Sequence, residues 1–107
     1  KFPADMMGIT ADTYWMQFAG LDVNDWLKNH ADRLPCVHPK DMIPDGFTAK
    51  MAAVGSGNMN FPAILDTLRN NGVTEYALVE QDDCYGESPF ACLKKSLDYV
   101  NGLPGGK

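Results

Sequence analysis

No apolar run in the 107 residues approaches the roughly 18 needed to cross a bilayer as a helix, and no charged-then-apolar leader opens the chain. Both absences point to a soluble, cytoplasmic protein with no membrane partner. Basic residues are also scarce: 9 Lys plus Arg face 14 Asp plus Glu, giving a net charge of -5 and a pI near 4.7. Such a chain offers a nucleic-acid backbone no general electrostatic attraction. The three cysteines, Cys36, Cys84 and Cys92, are an odd set without the paired short spacings of a zinc site or a disulfide framework. They read as reduced thiols.

What is present is enough for one small core: 45% of the residues are hydrophobic. Gly8 to Trp15, with its β-branched and aromatic residues, predicts a strand with Thr10, Asp12 and Tyr14 on one face. Asp22 stands as an N-cap before Val23, Trp26 and Leu27, whose spacing predicts a short helix ending near Ala31. The second unit begins with a strand over Leu34 to Asp41, flanked by Pro35 and Pro39, which places Leu34, Cys36, His38 and Lys40 on one face. A loop rich in Gly, Pro and Asp follows, and then a helix from about Asn60 to Gly72, with Pro62 in its first turn. The third unit has a strand over Glu75 to Asp82, with Tyr76, Leu78 and Glu80 on one face. Its helix is opened by Ser88 and Pro89, closed by Gly102, and expected to bury Phe90, Leu93, Leu97 and Val100. The tail over 102–107 is expected to fray.

Three strand-then-helix units in succession predict parallel strands in an α/β architecture. Each strand carries its ionisable residues late: Asp12, then His38 with Lys40, then Glu80. That is the end at which parallel α/β folds place their active sites. Two carboxylates and an imidazole suit a divalent cation such as Mn2+, Mg2+, Co2+ or Zn2+. The plain structural alternative has Asp12 capping a loop, His38 hydrogen-bonded in the core and Glu80 beside a basic neighbour.

Five ordered pieces carry a resemblance: Asp12 to Trp15, His38 to Asp41, Val54 to Leu65, Val79 to Asp82 and Ser96 to Tyr99. Together they resemble the sugar phosphate isomerase/epimerase family of xylose isomerase-like TIM barrels, from about Lys1 to Asn101. The resemblance implies that this chain is a single partial domain, the last three βα units of a (β/α)8 barrel, with Asp12, His38 and Glu80 on strands six, seven and eight. It further implies that Asp12, His38 and Glu80 are metal ligands and that Glu80 is also a proton carrier. The family's second glutamate belongs to strand five, which these units do not include. The reaction implied is metal-assisted proton transfer next to a carbonyl of a sugar or sugar phosphate, through an enediolate.

The sequence departs from the ketose epimerase branch, which has a histidine where Trp15 stands. Trp15 is expected either to stack on a sugar face or simply to pack at the rim. Lys40 is expected either to bind a substrate oxygen and stabilise the enediolate or to pair with Asp41. Gly55-Ser56-Gly57 reads as a phosphate or hydroxyl cradle, or as a turn feeding Asn60 into its helix. Asp82, Asp83 and Glu87 read as a solvated loop. Three βα units leave strand edges open, so association into a homo-oligomer is expected. A non-catalytic fragment that oligomerises through those edges is the competing reading, with catalysis then confined to a longer parent. An endonuclease IV-like DNA repair enzyme is disfavoured by the two histidines and the negative charge.

Overall fold

In the computed structural model, residues 2–105 are described, and they form ten elements. A parallel three-stranded sheet contains β1 (Thr10–Asp12), β2 (Cys36–His38) and β5 (Tyr76–Ala77), in the order β1-β2-β5. Helices α1 (Thr13–Phe18) and α2 (Val23–Asn29) and a 3-10 turn over Ala31–Arg33 join β1 to β2. An antiparallel hairpin of β3 (Asp41–Asp45) and β4 (Thr48–Ala52), followed by α3 (Phe61–Asn70), joins β2 to β5. The last element is α4 (Pro89–Gly102). The expected mixed α/β fold with parallel strands is therefore present.

The register pairs Asp12 with His38 and Cys36 with Tyr76. It puts the late residues of all three strands at one edge. The core lies between the sheet and the helices: Val37 of the central strand is fully buried with Leu27 of α2 and with Phe61, Ile64, Leu65 and Leu68 of α3. Side-chain caps start two of these helices, since Asp22 accepts from the Asp25 amide and Asn60 from the Ala63 amide. Among the described residues no helix is long and apolar enough to cross a membrane.

Several expectations are corrected. The strand read over Gly8 to Trp15 pairs only over Thr10–Asp12, because the Asp12 carboxylate accepts from the Trp15 amide at 3.1 Å and starts a helix there. The loop expected after Asp41 is a hairpin. Its two-residue turn is Gly46-Phe47, with Gly46 at φ +63°, the glycine position such turns require. The Asp45-Gly46 pair between two short runs was the available signal. Pro44 sits in β3, which has a partner on one side only, the kind of edge strand in which proline is tolerated.

Helix α4 keeps its expected bounds but not its expected face. Phe90, Leu93 and Leu97 are 83%, 40% and 56% exposed, while Cys92 and Ser96 are buried. Ser96 Oγ accepts from the Val54 amide at 3.0 Å, and the Tyr99 ring lies where a side chain on Gly55 would be. Small residues thus bring α4 onto the segment after β4; Val100 packs against the core as expected, with Tyr99, while Phe90, Leu93 and Leu97 are left exposed. Beyond α4, the Arg69 guanidinium donates to the Pro104 carbonyl at 2.8 Å, and residues 106 and 107 of the expected frayed tail lie outside the described residues.

Candidate functional site

The strands expected over Leu34 to Asp41 and Glu75 to Asp82 pair only over Cys36–His38 and Tyr76–Ala77, and the end of β1 and the segments just beyond β2 and β5 converge on one group, the ammonium of Lys40. Its Nζ lies 3.0 Å from Asp12 Oδ2, 3.0 Å from Glu80 Oε2 and 2.6 Å from Asp82 Oδ2. The Lys40 side chain is fully buried, whereas Glu80 and Asp82 are 44% and 43% exposed and Asp12 is 19% exposed. The backbone of Lys40 is fixed as well. Its amide donates to Thr13 Oγ1 at 2.8 Å, and the same hydroxyl donates to the Lys40 carbonyl at 2.8 Å. Thr13 is the first residue of α1, so the helix started by Asp12 is also tied to the lysine that Asp12 meets. Burial alone would lower the Lys40 pKa, but the hydrogen bonds to Asp82, Asp12 and Glu80 outweigh it and raise it above the ordinary lysine value.

Asp82, expected in a solvated loop, instead makes the shortest of the three contacts. The alternation that sets Leu78 and Glu80 on one face continues to residue 82, and this was the signal for it. Lys40 does not pair with Asp41, and its side chain is closed off from solvent with three carboxylate partners. As arranged, its three carboxylate partners occupy the ammonium.

Asp41, also fully buried, has its own partners: the amides of Met42, Gly55, Gly57 and Met59, at 2.8, 3.0, 3.0 and 3.1 Å. The Gly55 and Gly57 amides, read as part of a phosphate or hydroxyl cradle, are instead occupied by the chain's own carboxylate, while the Ser56 amide turns back to the Ala53 carbonyl. Gly57 packs against that carboxylate so closely that an added Cβ would collide with it and with the Met42 carbonyl.

The structure brings Asp12 and Glu80 together through Lys40, but His38 does not join them. Its Nδ1 meets the Leu78 carbonyl at 3.1 Å, linking the end of β2 to the segment beyond β5. Among the described residues no three His, Cys, Asp or Glu side chains are grouped to hold a metal ion. One Asp12 oxygen caps α1 and the other meets Lys40. As arranged, then, Asp12, His38 and Glu80 do not fit the divalent ion that the motifs imply. Trp15 is 48% exposed at the rim, and its ring packs edge-on against Tyr14 and Phe18 at centroid distances of 4.8 and 5.5 Å.

Away from this edge, a cavity of about 340 Å³ is lined by residues that include Lys50, Cys84, Tyr85, Glu87, Cys92 and Lys95. All three cysteines are free. Cys92 Sγ donates to Glu87 Oε2 at 3.3 Å, and burial, with Cys84 and Glu87 beside it, pushes the Cys92 thiol up to about 11.

No family model matches the chain, and no curated protein matches it. Solved structures do. A sugar phosphate isomerase/epimerase from Parabacteroides distasonis ATCC 8503 superposes with a TM-score of 0.75 at 28% identity, covering 98% of this chain and 34% of the other. The chain resembles the sugar phosphate isomerase/epimerases in fold as well as in motif. A second such structure from the same organism has a TM-score of 0.70 at 28% identity, covering 94% of this chain and 33% of its own. This chain therefore spans about a third of the length of the sugar phosphate isomerase/epimerase structures it matches.

Proposed function

We propose that this chain supplies strands six to eight of a (β/α)8 sugar phosphate isomerase/epimerase barrel. In this reading the barrel moves a proton at a carbon beside the carbonyl of a sugar or sugar phosphate. The observation that supports the reading best is the gathering of Asp12, Lys40, Glu80 and Asp82 at one edge of the parallel sheet, in a chain alike over 98% of its length to sugar phosphate isomerase/epimerases.

Glu80 is the proton carrier. Only its Oε2 meets Lys40, and the side chain is 44% exposed, so the carboxylate is both oriented and reachable. Trp15 forms part of the apolar rim on which a sugar face stacks. Lys40 acts through the carboxylates it holds. In D2O the polypeptide that carries this chain as a complete barrel should wash deuterium into the carbon next to the carbonyl of its ketose substrate, followed by NMR. Glu80→Gln should slow that exchange at least 100-fold, about 2.7 kcal/mol in barrier. Unchanged exchange in the variant would remove Glu80 from the role.

A second reading, association of chains without catalysis, draws on the exposed apolar surface. Phe90, Leu97, Tyr76 and Leu78 are all more than half exposed, and β1 and β5 each have an open edge. In a complete barrel that surface would be covered by the barrel's other units, and in this chain alone by a second copy. Sedimentation of the isolated chain separates the two, since a monomer with no self-association would count against a second copy.

A further inference from the structure

The mismatch between the strand-end donors and a divalent ion has a specific cause, and its functional meaning rests on the isomerase/epimerase reading above. We propose that the Lys40 ammonium is the resident cation of this site, a positioning residue that occupies the point between the carboxylates and keeps them from taking a divalent ion. Three observations carry this.

The first is stoichiometric. An ammonium has three N–H donors, and three carboxylate oxygens from three different segments lie within 3.0 Å of Nζ. The arrangement uses the lysine completely. The second is rigidity. The Lys40 side chain is fully buried, and both its amide and its carbonyl are held by Thr13 Oγ1 at 2.8 Å, so the charge is built into the fold and is not a surface arm resting on an acidic patch. The third is the state of the would-be ligands. Asp12 has both oxygens engaged, by the Trp15 amide and by Lys40, so the lysine already holds the oxygen that a divalent ion would need. A divalent ion on the same carboxylate oxygens would sit against a fixed, buried positive charge that repels it.

The consequence for chemistry is that Asp12, Glu80 and Asp82 are kept close together by a cation that never dissociates. The three carboxylates and the lysine sum to a charge of -2. Removing the lysine leaves -3, an uncompensated charge that the carboxylates can close around a hard divalent cation to offset.

The test is a Mn2+ titration followed by electron paramagnetic resonance, on the complete polypeptide carrying this chain and on its Lys40→Met and Lys40→Arg variants. The expected result is that the unaltered protein and Lys40→Arg leave Mn2+ free up to about 1 mM, while Lys40→Met binds one ion at least tenfold more tightly. One Mn2+ bound in the micromolar range by the unaltered protein, and lost in Asp12→Asn, would overturn the proposal. If circular dichroism shows Lys40→Met to be unfolded, the unaltered protein and Lys40→Arg still decide. Deuterium exchange run in parallel with a chelator separates this proposal from the functional reading. No exchange under any condition, with Mn2+ left free, sinks the isomerase reading and leaves the resident cation standing. Exchange that requires a bound Mn2+ does the reverse.

Discussion

Lys40 and Asp41 are neighbours in the chain, opposite in charge and both fully buried, yet they do not pair with each other. Asp41 is neutralised by four backbone amides, three of them from the Gly55–Met59 segment that leads into α3. Lys40 is neutralised by three side chains from the ends of β1 and the segment after β5, two of them open to solvent. The difference separates structure from function. Backbone donors cannot withdraw without unfolding the loop, so the Asp41 cluster fixes a fold. Half-exposed carboxylates can rearrange around a substrate, so the Lys40 cluster suits a site.

The sharpest way to break this comparison is to remove Asp41. Asp41→Ala leaves up to four buried amides without an acceptor and should cost about 4 kcal/mol in urea unfolding. Asp41→Asn keeps one accepting oxygen and should fall about midway. A loss under 1 kcal/mol for the alanine variant would mean that water replaces the carboxylate and that the loop does not depend on it.

Lys40→Met should cost less, about 2 kcal/mol. Glu80 and Asp82 are 44% and 43% exposed and recover hydration once the ammonium is gone, which reduces the penalty usual for an orphaned buried charge. If this loss equalled that of Asp41→Ala, the two clusters would be structural alike, and the division drawn between them would fail.

How much of this was legible in the sequence differs between the two clusters. Asp12 and His38 could be found at their strand ends from alternation, and Lys40 and Glu80 just beyond theirs, although the strands themselves are shorter than the pattern predicts. The caps at Asp22 and Asn60 and the bounds of α4 were equally readable, since a cap is a local interaction. Asp41's role was not. Its partners lie up to 18 residues away, and nothing local distinguishes a carboxylate that collects distant amides from one that faces water. The position of Lys40 was missed for a related reason. Residue types and strand ends predicted which groups would meet, but not that Lys40, two residues after His38, would reach the centre first. The buried face of α4 was misjudged because periodicity assumes that large apolar residues face a partner, and within this chain the partner segment accommodates Cys92 and Ser96 instead.

A third buried ionisable group, in α4, sharpens the comparison through pH. Lys40 is stabilised in its charged form by opposite charges, whereas Cys92, buried beside Cys84 and Glu87, is held in its neutral form. The folded-state pKa of the thiol, about 11, lies above its ordinary value near 9. The sign follows: the contribution is fully present below pH 9 and is lost as pH rises toward 11. Urea midpoints of the unaltered chain should therefore fall between pH 9 and 10.5 more than those of Cys92→Ala. Parallel curves would mean that the thiol is not shielded.

The smallest effect belongs to a lysine with the same chemistry and none of the burial. Lys94 reaches Asp98 one turn along α4 at 2.8 Å, a contact as short as those of Lys40, but the two side chains are 73% and 61% exposed. Water screens that pair, and holding two long side chains in one geometry costs entropy, so Lys94→Ala should change stability by less than 0.5 kcal/mol. Added salt should reduce even that, while leaving the Lys40→Met loss nearly intact, because ions in solution screen exposed charges far better than buried ones. Distance alone would rank the two lysines as equals. If urea unfolding in low and high salt gave them the same loss, the Lys40 cluster would be a surface ion pair in energetic terms, and its claim to hold the strand ends together would go with it.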